Sequence, residues 1–233
     1  MKIRRYLSGA SGKGVLAGIM LLGFAVTLPF LMNSTPEEKQ NLVENTDTMQ
    51  LVEKSTGSLS DLPQREVTEL RADLQVAKVV PHTPVDFEEQ VWEQDIRQLI
   101  QRWVPNEEEA GSIARWVYVY SIRFDISPEL LLGLMAIESR FDHFAVSNVG
   151  ARGLMQVMPF WKKELGQPSD NLFEIETNIR YGSAILKHYL KRYKTERRAL
   201  AAYNGSLGRD KYPNKVFAQM RKFKAIRKKM TSS

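Results

Sequence analysis

The sequence predicts an all-α domain preceded by one transmembrane helix and a stem. Three observations carry this. Residues 15–32 run uncharged and apolar. Residues 33–84 are polar and free of aromatic side chains, with Pro36, Pro63, Pro81 and Pro84. From about Val85 apolar residues recur at helical spacing, with no strand alternation.

The apolar run reads V-L-A-G-I-M-L-L-G-F-A-V-T-L-P-F-L-M from Val15 to Met32. As a helix its eighteen residues would extend about 27 Å, close to the ~30 Å of a bilayer's hydrocarbon core. A cleaved signal peptide is the alternative, but its apolar stretch is usually shorter. No small-x-small site follows here; the run leaves through Pro29-Phe30-Leu31-Met32-Asn33-Ser34. An uncleaved single-pass anchor is therefore expected. Residues 1–14 hold Lys2, Arg4, Arg5 and Lys13 and no acid, so this end would stay cytoplasmic and the remainder would lie outside the cytoplasmic membrane. Residues 33–84 carry five basic and nine acidic groups and read as a spacer. Val67, Leu70, Leu74 and Ala77 fall on one face of a short amphipathic helix near 64–79.

Residues 85–233 form the predicted globular part. Val91, Trp92, Ile96, Leu99, Ile100 and Trp103 repeat at helical spacing. Asn106 followed by Glu107-Glu108-Glu109 reads as a helix start with acids in its first turn. Ser127-Pro128 reads as a cap with proline at the first helical position. Helices follow over 129–140, 160–165, 175–193, 197–203 and 215–228, with polar loops near 142–158 and 204–212.

Composition narrows the chemistry. The chain has no cysteine, which excludes disulfides, thiolate metal sites and a cysteine nucleophile. His82, His143 and His188 are scattered without metal-ligand spacing, so no metal and no cofactor are expected. Residues 211–233 carry eight basic groups and no acid. A basic tail suits anionic lipid or an anionic wall polymer, or simply a solvated helix face. Nucleic acid is disfavoured, because only Phe217 and Phe223 accompany the charge.

Helix 129–140 is apolar almost all round, which marks a buried helix, yet Glu138 stands on its last turn. A carboxyl group there must be paired, solvated or protonated. Desolvation raises its pKa, as a general acid near neutral pH requires. From this helix alone, an ion pair with Arg140 or Arg152 is the preferred reading.

The residues that follow reverse it. E-S-R-F-D-H-F-A-V-S-N-V-G-A-R-G-L-M-Q-V-M-P, from Glu138 to Pro159, resembles the catalytic core of the soluble-lytic-transglycosylase-like (SLT) family of lysozyme-like enzymes. Asn178-Ile179-x-x-Gly182 and Ala202-Tyr203-Asn204 resemble that family's two later motifs. The family often continues Tyr-Asn with Ala-Gly, whereas here Gly205-Ser206 follows. The resemblance covers roughly residues 110–220.

The resemblance implies a lysozyme-like helical fold and a peptidoglycan lytic transglycosylase that acts on glycan strands. It implies that Glu138 first protonates the glycosidic oxygen between N-acetylmuramic acid and N-acetylglucosamine. Glu138 then takes the proton of the C6 hydroxyl, whose oxygen closes on C1. It further implies that Ser147, Gln156, Met158, Tyr203 and Asn204 line the cleft. Asp142, one turn beyond Glu138, reads as solvated or paired to a base. A lysozyme-like hydrolase and a non-cutting, membrane-tethered glycan-binding scaffold are the alternatives.

Overall fold

A computed structural model describes residues 63–78 and 87–230. Eight helices stand among them: α1 (Gln64–Lys78), α2 (Phe87–Ile100), α3 (Glu107–Phe124), α4 (Pro128–Glu138), α5 (Pro159–Leu165), α6 (Ile175–Tyr193), α7 (Glu196–Tyr203) and α8 (Lys211–Met230). The described residues hold no strand, only isolated antiparallel bridges Val146–Arg152 and Arg152–Val157. The all-α expectation holds for this part of the chain.

Local chemistry sets the helix ends. Asn106 accepts the Glu109 amide at 2.8 Å and opens α3. Asp125 closes it in the left-handed region, at φ 51°. Pro128 starts α4 in the first turn, where a missing N–H costs nothing. Thr195 caps α7 by accepting the Arg198 amide.

The central helix is α4. Leu130, Leu131, Leu132, Leu134 and Met135 are all buried, on every side of it. Its tightest partner is α8. A Cβ on Gly133 would stand 2.9 Å from the Val216 carbonyl oxygen and 3.0 Å from the Met220 amide nitrogen. The absent side chain therefore lets the two backbones meet directly. Farther along α8, Arg227 pairs with the buried Glu129 at 2.6 Å. The aromatic rings of Trp103, Phe141 and Phe223 pack on one another beside this contact.

Two expectations change here. The first is the single-pass anchor, with the membrane partnership and the cytoplasmic-membrane location built on it. Among the described residues no helix is long and apolar enough to cross a membrane. The longest, α8 and α6, span 20 and 19 residues, and both carry cations along their length, which the hydrocarbon core opposes. Residues 15–32 themselves lie outside the described residues. The second is the reading of 211–233 as a tail with a candidate anionic lipid or wall-polymer contact. Residues 211–230 form α8, whose Tyr212, Pro213, Val216 and Phe223 are buried, so one face of this stretch is a wall of the core.

The stretch read as spacer also contains folded structure. In α1, Val67, Leu70 and Leu74 are buried, and this helix packs on α6. Arg192 pairs with Glu66 at 3.0 Å and Lys191 with Asp73 at 3.2 Å across that contact. Such half-exposed pairs contribute little stability individually, so the apolar face holds α1 in place.

Candidate active site

A long loop follows Glu138 at the end of α4. The chain leaves α4 through Arg140 and Phe141, both with positive φ. Ser139 anchors the departure by donating its hydroxyl to the Leu154 carbonyl at 2.8 Å. Asp142 accepts the Phe144 amide at 2.8 Å, so it shapes a turn.

The loop is gripped from α6 by two residues one turn apart. Asn178 is fully buried. Its carboxamide oxygen accepts the Met155 amide at 2.8 Å, and its nitrogen donates to the carbonyls of Arg152 at 2.8 Å and Leu172 at 2.7 Å. Gly182 leaves room for the Met155 side chain, since a Cβ there would come within 2.5 Å of the sulfur. Gly153 has φ +72° and lies against Asn178 and the Leu172 carbonyl. The Asn-Ile-x-x-Gly motif is thus a clamp on residues 152–155.

Glu138 stands at the C-terminal end of α4, partly buried. Burial pushes its pKa up to about 7, and a hydrogen bond from the Tyr212 hydroxyl to Oε1 partly offsets that rise. The Tyr212 phenol is itself held well above its ordinary pKa by burial and by the neighbouring carboxylate, so it acts as a donor throughout the accessible pH range. Tyr212→Phe is expected to move the Glu138 titration midpoint upward, because the bond that favours the ionised form is lost. A carboxyl-carbon NMR titration reads the change; a midpoint at or below that of the parent would contradict this account.

Glu138 opens on a cleft of about 400 Å³ lined by Ile137, Glu138, Asn204, Ser206, Arg209, Lys211, Tyr212 and Lys215. No second carboxylate among the described residues lines this cleft. Asp210, nearby in sequence, pairs with Arg197 at 3.3 Å.

Of the residues expected to line the cleft, Asn204 does so, as the cap residue ending α7. Burial raises the Tyr203 phenol pKa, and the nearby Glu138 carboxylate adds to the rise. The Tyr203 hydroxyl, however, donates to the Met155 carbonyl at 2.7 Å. Ser147 accepts the Ala151 amide at 3.0 Å. Gln156, at φ 49°, donates to the carbonyls of Gly153 at 3.0 Å and Ala145 at 3.3 Å. Met158 caps α5 and packs against the core. The polar groups of Ser147, Gln156 and Tyr203 are thus spent on the loop's own backbone. Tyr212 was not among the expected residues, and neither were Ser206, Arg209, Lys211 and Lys215. Nothing in Lys211-Tyr212-Pro213 beyond a helix start signals a partner for an acid 74 positions away.

The fold and site define an all-helical domain with one partly buried carboxyl group at the wall of an open cleft. Residues 118–226 match the family described as Transglycosylase SLT domain. The chain is similar to the protein named Transglycosylase from Enterobacteria phage PRD1, 34% identical over 116 residues, covering 46% of this chain and 43% of that protein. It is also similar to Membrane-bound lytic murein transglycosylase C of Photorhabdus laumondii, 39% identical over 105 residues, covering 38% of this chain and 29% of that protein. The chain therefore spans less than half the length of these curated relatives. Among solved structures, lytic transglycosylase Slt of Pseudomonas aeruginosa, in an inactive mutant form, aligns at TM-score 0.36 and 19% identity, over 77% of this chain and 34% of that one.

Proposed function

We propose that this chain cuts the glycan strands of peptidoglycan without water. It breaks the β-1,4 bond between N-acetylmuramic acid and N-acetylglucosamine and leaves a 1,6-anhydro ring. One observation carries the reading: a lone carboxyl group, raised to a pKa of about 7, at the wall of a cleft with no second carboxylate in its described lining. Similarity to a lytic murein transglycosylase supports action on murein.

Glycosidases ordinarily need two carboxylates, because water or the enzyme supplies the nucleophile. One suffices when the substrate supplies its own. Protonated Glu138 gives its proton to the glycosidic oxygen as the bond to C1 breaks. The resulting carboxylate then takes the proton of the C6 hydroxyl while that oxygen bonds to C1. Glu138 ends protonated, as it began, and the attack gains from the high effective molarity of an intramolecular group. Tyr212 is a positioning residue that orients the carboxyl group. Asn204 is read as a sugar contact, with the ring of Tyr203 behind it. Ser147 and Gln156 hold the loop that Met158 ends.

Digestion of purified sacculi with the full chain tests this. Mass analysis should find muropeptides lighter by one water than their reducing-end counterparts. Reducing ends alone would overturn the non-hydrolytic chemistry and favour a lysozyme-like hydrolase. The pH profile follows from the acid: kcat/KM should be level below about 7 and fall about tenfold per pH unit above it. A profile still rising beyond pH 8 would contradict Glu138 as the initial proton donor.

A further inference from the structure

The cleft is charged in one sense. Arg209, Lys211 and Lys215 line it together with Glu138. All three cations are exposed, and no carboxylate among the described residues forms an ion pair with them. They are not partners of the acid either, since Glu138 is bonded to Tyr212. Three cations therefore face a single carboxyl group in the cleft lining.

The positions of these cations are locally unfavourable. Lys211 opens α8, which has no acid in its first turn, and Lys215 follows one turn later on the same side of the cleft. The N-terminal end of a helix carries partial positive charge and favours anions. Two lysines there reinforce the helix's own field where a carboxylate would relieve it. Arg209 adds a planar donor suited to bidentate carboxylate binding. An uncharged N-acetylated sugar backbone has no use for this field, but a carboxylate carried beside the scissile bond does.

We infer that Arg209, Lys211 and Lys215 form a carboxylate-recognising subsite that selects glycan strands by the acidic groups on their muramic sugars. This deepens the proposed activity and rests on it. Two sources share that chemistry: the carboxylates of a peptide stem, and the lactyl carboxylate left free when the stem has been removed.

Binding tests the inference separately from cleavage. The full chain carrying Glu138→Gln is titrated by fluorescence anisotropy against labelled strands, either stem-bearing or stem-free, each with its carboxylates ionised or methyl-esterified. The same titrations are repeated with Arg209→Gln, Lys211→Gln and Lys215→Gln added together. The triple change should weaken binding of ionised strands about tenfold at low salt and of esterified strands less than twofold. Loss on stem-bearing strands alone assigns the carboxylates to the peptide. Loss on stem-free strands as well assigns them to the lactyl group. Equal weakening across ionised and esterified strands, or none, overturns the inference. A salt series on the chain without the triple change is a second measurement: added salt should weaken ionised strands selectively, and equal salt dependence of the esters would overturn the subsite. Should the unsubstituted chain release no anhydro products, the proposed activity fails while these binding results stand on their own.

Discussion

Glu138→Gln is expected to reduce release of anhydro-muropeptides from sacculi by at least about 10³-fold, since one group serves as both acid and base. Glutamine matches glutamate in size and can still accept the Tyr212 hydroxyl, so the fold should persist. Stability should in fact rise at alkaline pH. The folded-state pKa of Glu138 lies near 7, above its ordinary value of 4.5, so the native chain binds the proton more tightly than the unfolded chain does. Native stability therefore falls as pH climbs between those two values, and the full cost of holding the ionised group buried is present above about 7. Glutamine carries no such cost. A thermal melt at pH 8 should show the variant at or above the parent, and at pH 4 the two should agree. Normal release of anhydro products by the variant would remove Glu138 from the mechanism.

Asn178→Ala is expected to be the most damaging change outside the acid. Three backbone groups, the Met155 amide and the Arg152 and Leu172 carbonyls, would lose their partner in a buried place. An unsatisfied buried group costs about 1–3 kcal/mol. A total of about 4 kcal/mol corresponds to a melting temperature lower by roughly 10 °C for a domain of this size. Activity should fall further than stability alone explains, because Met155 also receives the Tyr203 hydroxyl and the loop shapes the ground beside Glu138. Differential scanning calorimetry and sacculus digestion well below the melting temperature separate the two effects. An unchanged melt would show that the clamp is not what holds the loop.

Much of the helical layout was legible in the sequence, for identifiable reasons. The Asn106 and Ser127-Pro128 boundaries depend on side chains within a few positions of the helix they start. The continuous apolar character of α4 is a local property. The start of α8 was less legible. A loop was expected near 204–212 and a helix from 215, yet proline is tolerated in a first helical turn and the helix begins at Lys211.

The site was legible only in part. Glu138 was marked by its conflict with an apolar helix and by the motifs around it. For Ser147, Gln156 and Tyr203, residue type shows that a polar group exists but not which way it points. In each case the group turns toward the loop's own carbonyls or amides. Tyr212 was invisible because its pairing joins two helices 74 positions apart. The cleft's cations were hidden similarly, since they count merely as part of a basic terminus until the fold sets them across from the acid.

The bond between Tyr212 and Glu138 has a consequence for timing. Its donor lies on α8, the last of the described helices in chain order, and Gly133 lets that helix seat directly on the one bearing the acid. A growing chain that has emerged only through α7 already contains its acid, its loop and the Asn178 clamp. It still lacks the wall that closes the cleft and the hydroxyl that orients the carboxyl group. Under the proposed mechanism the cleft is therefore assembled only when α8 seats on α4, so a chain interrupted before α8 would hold the acid without its partner.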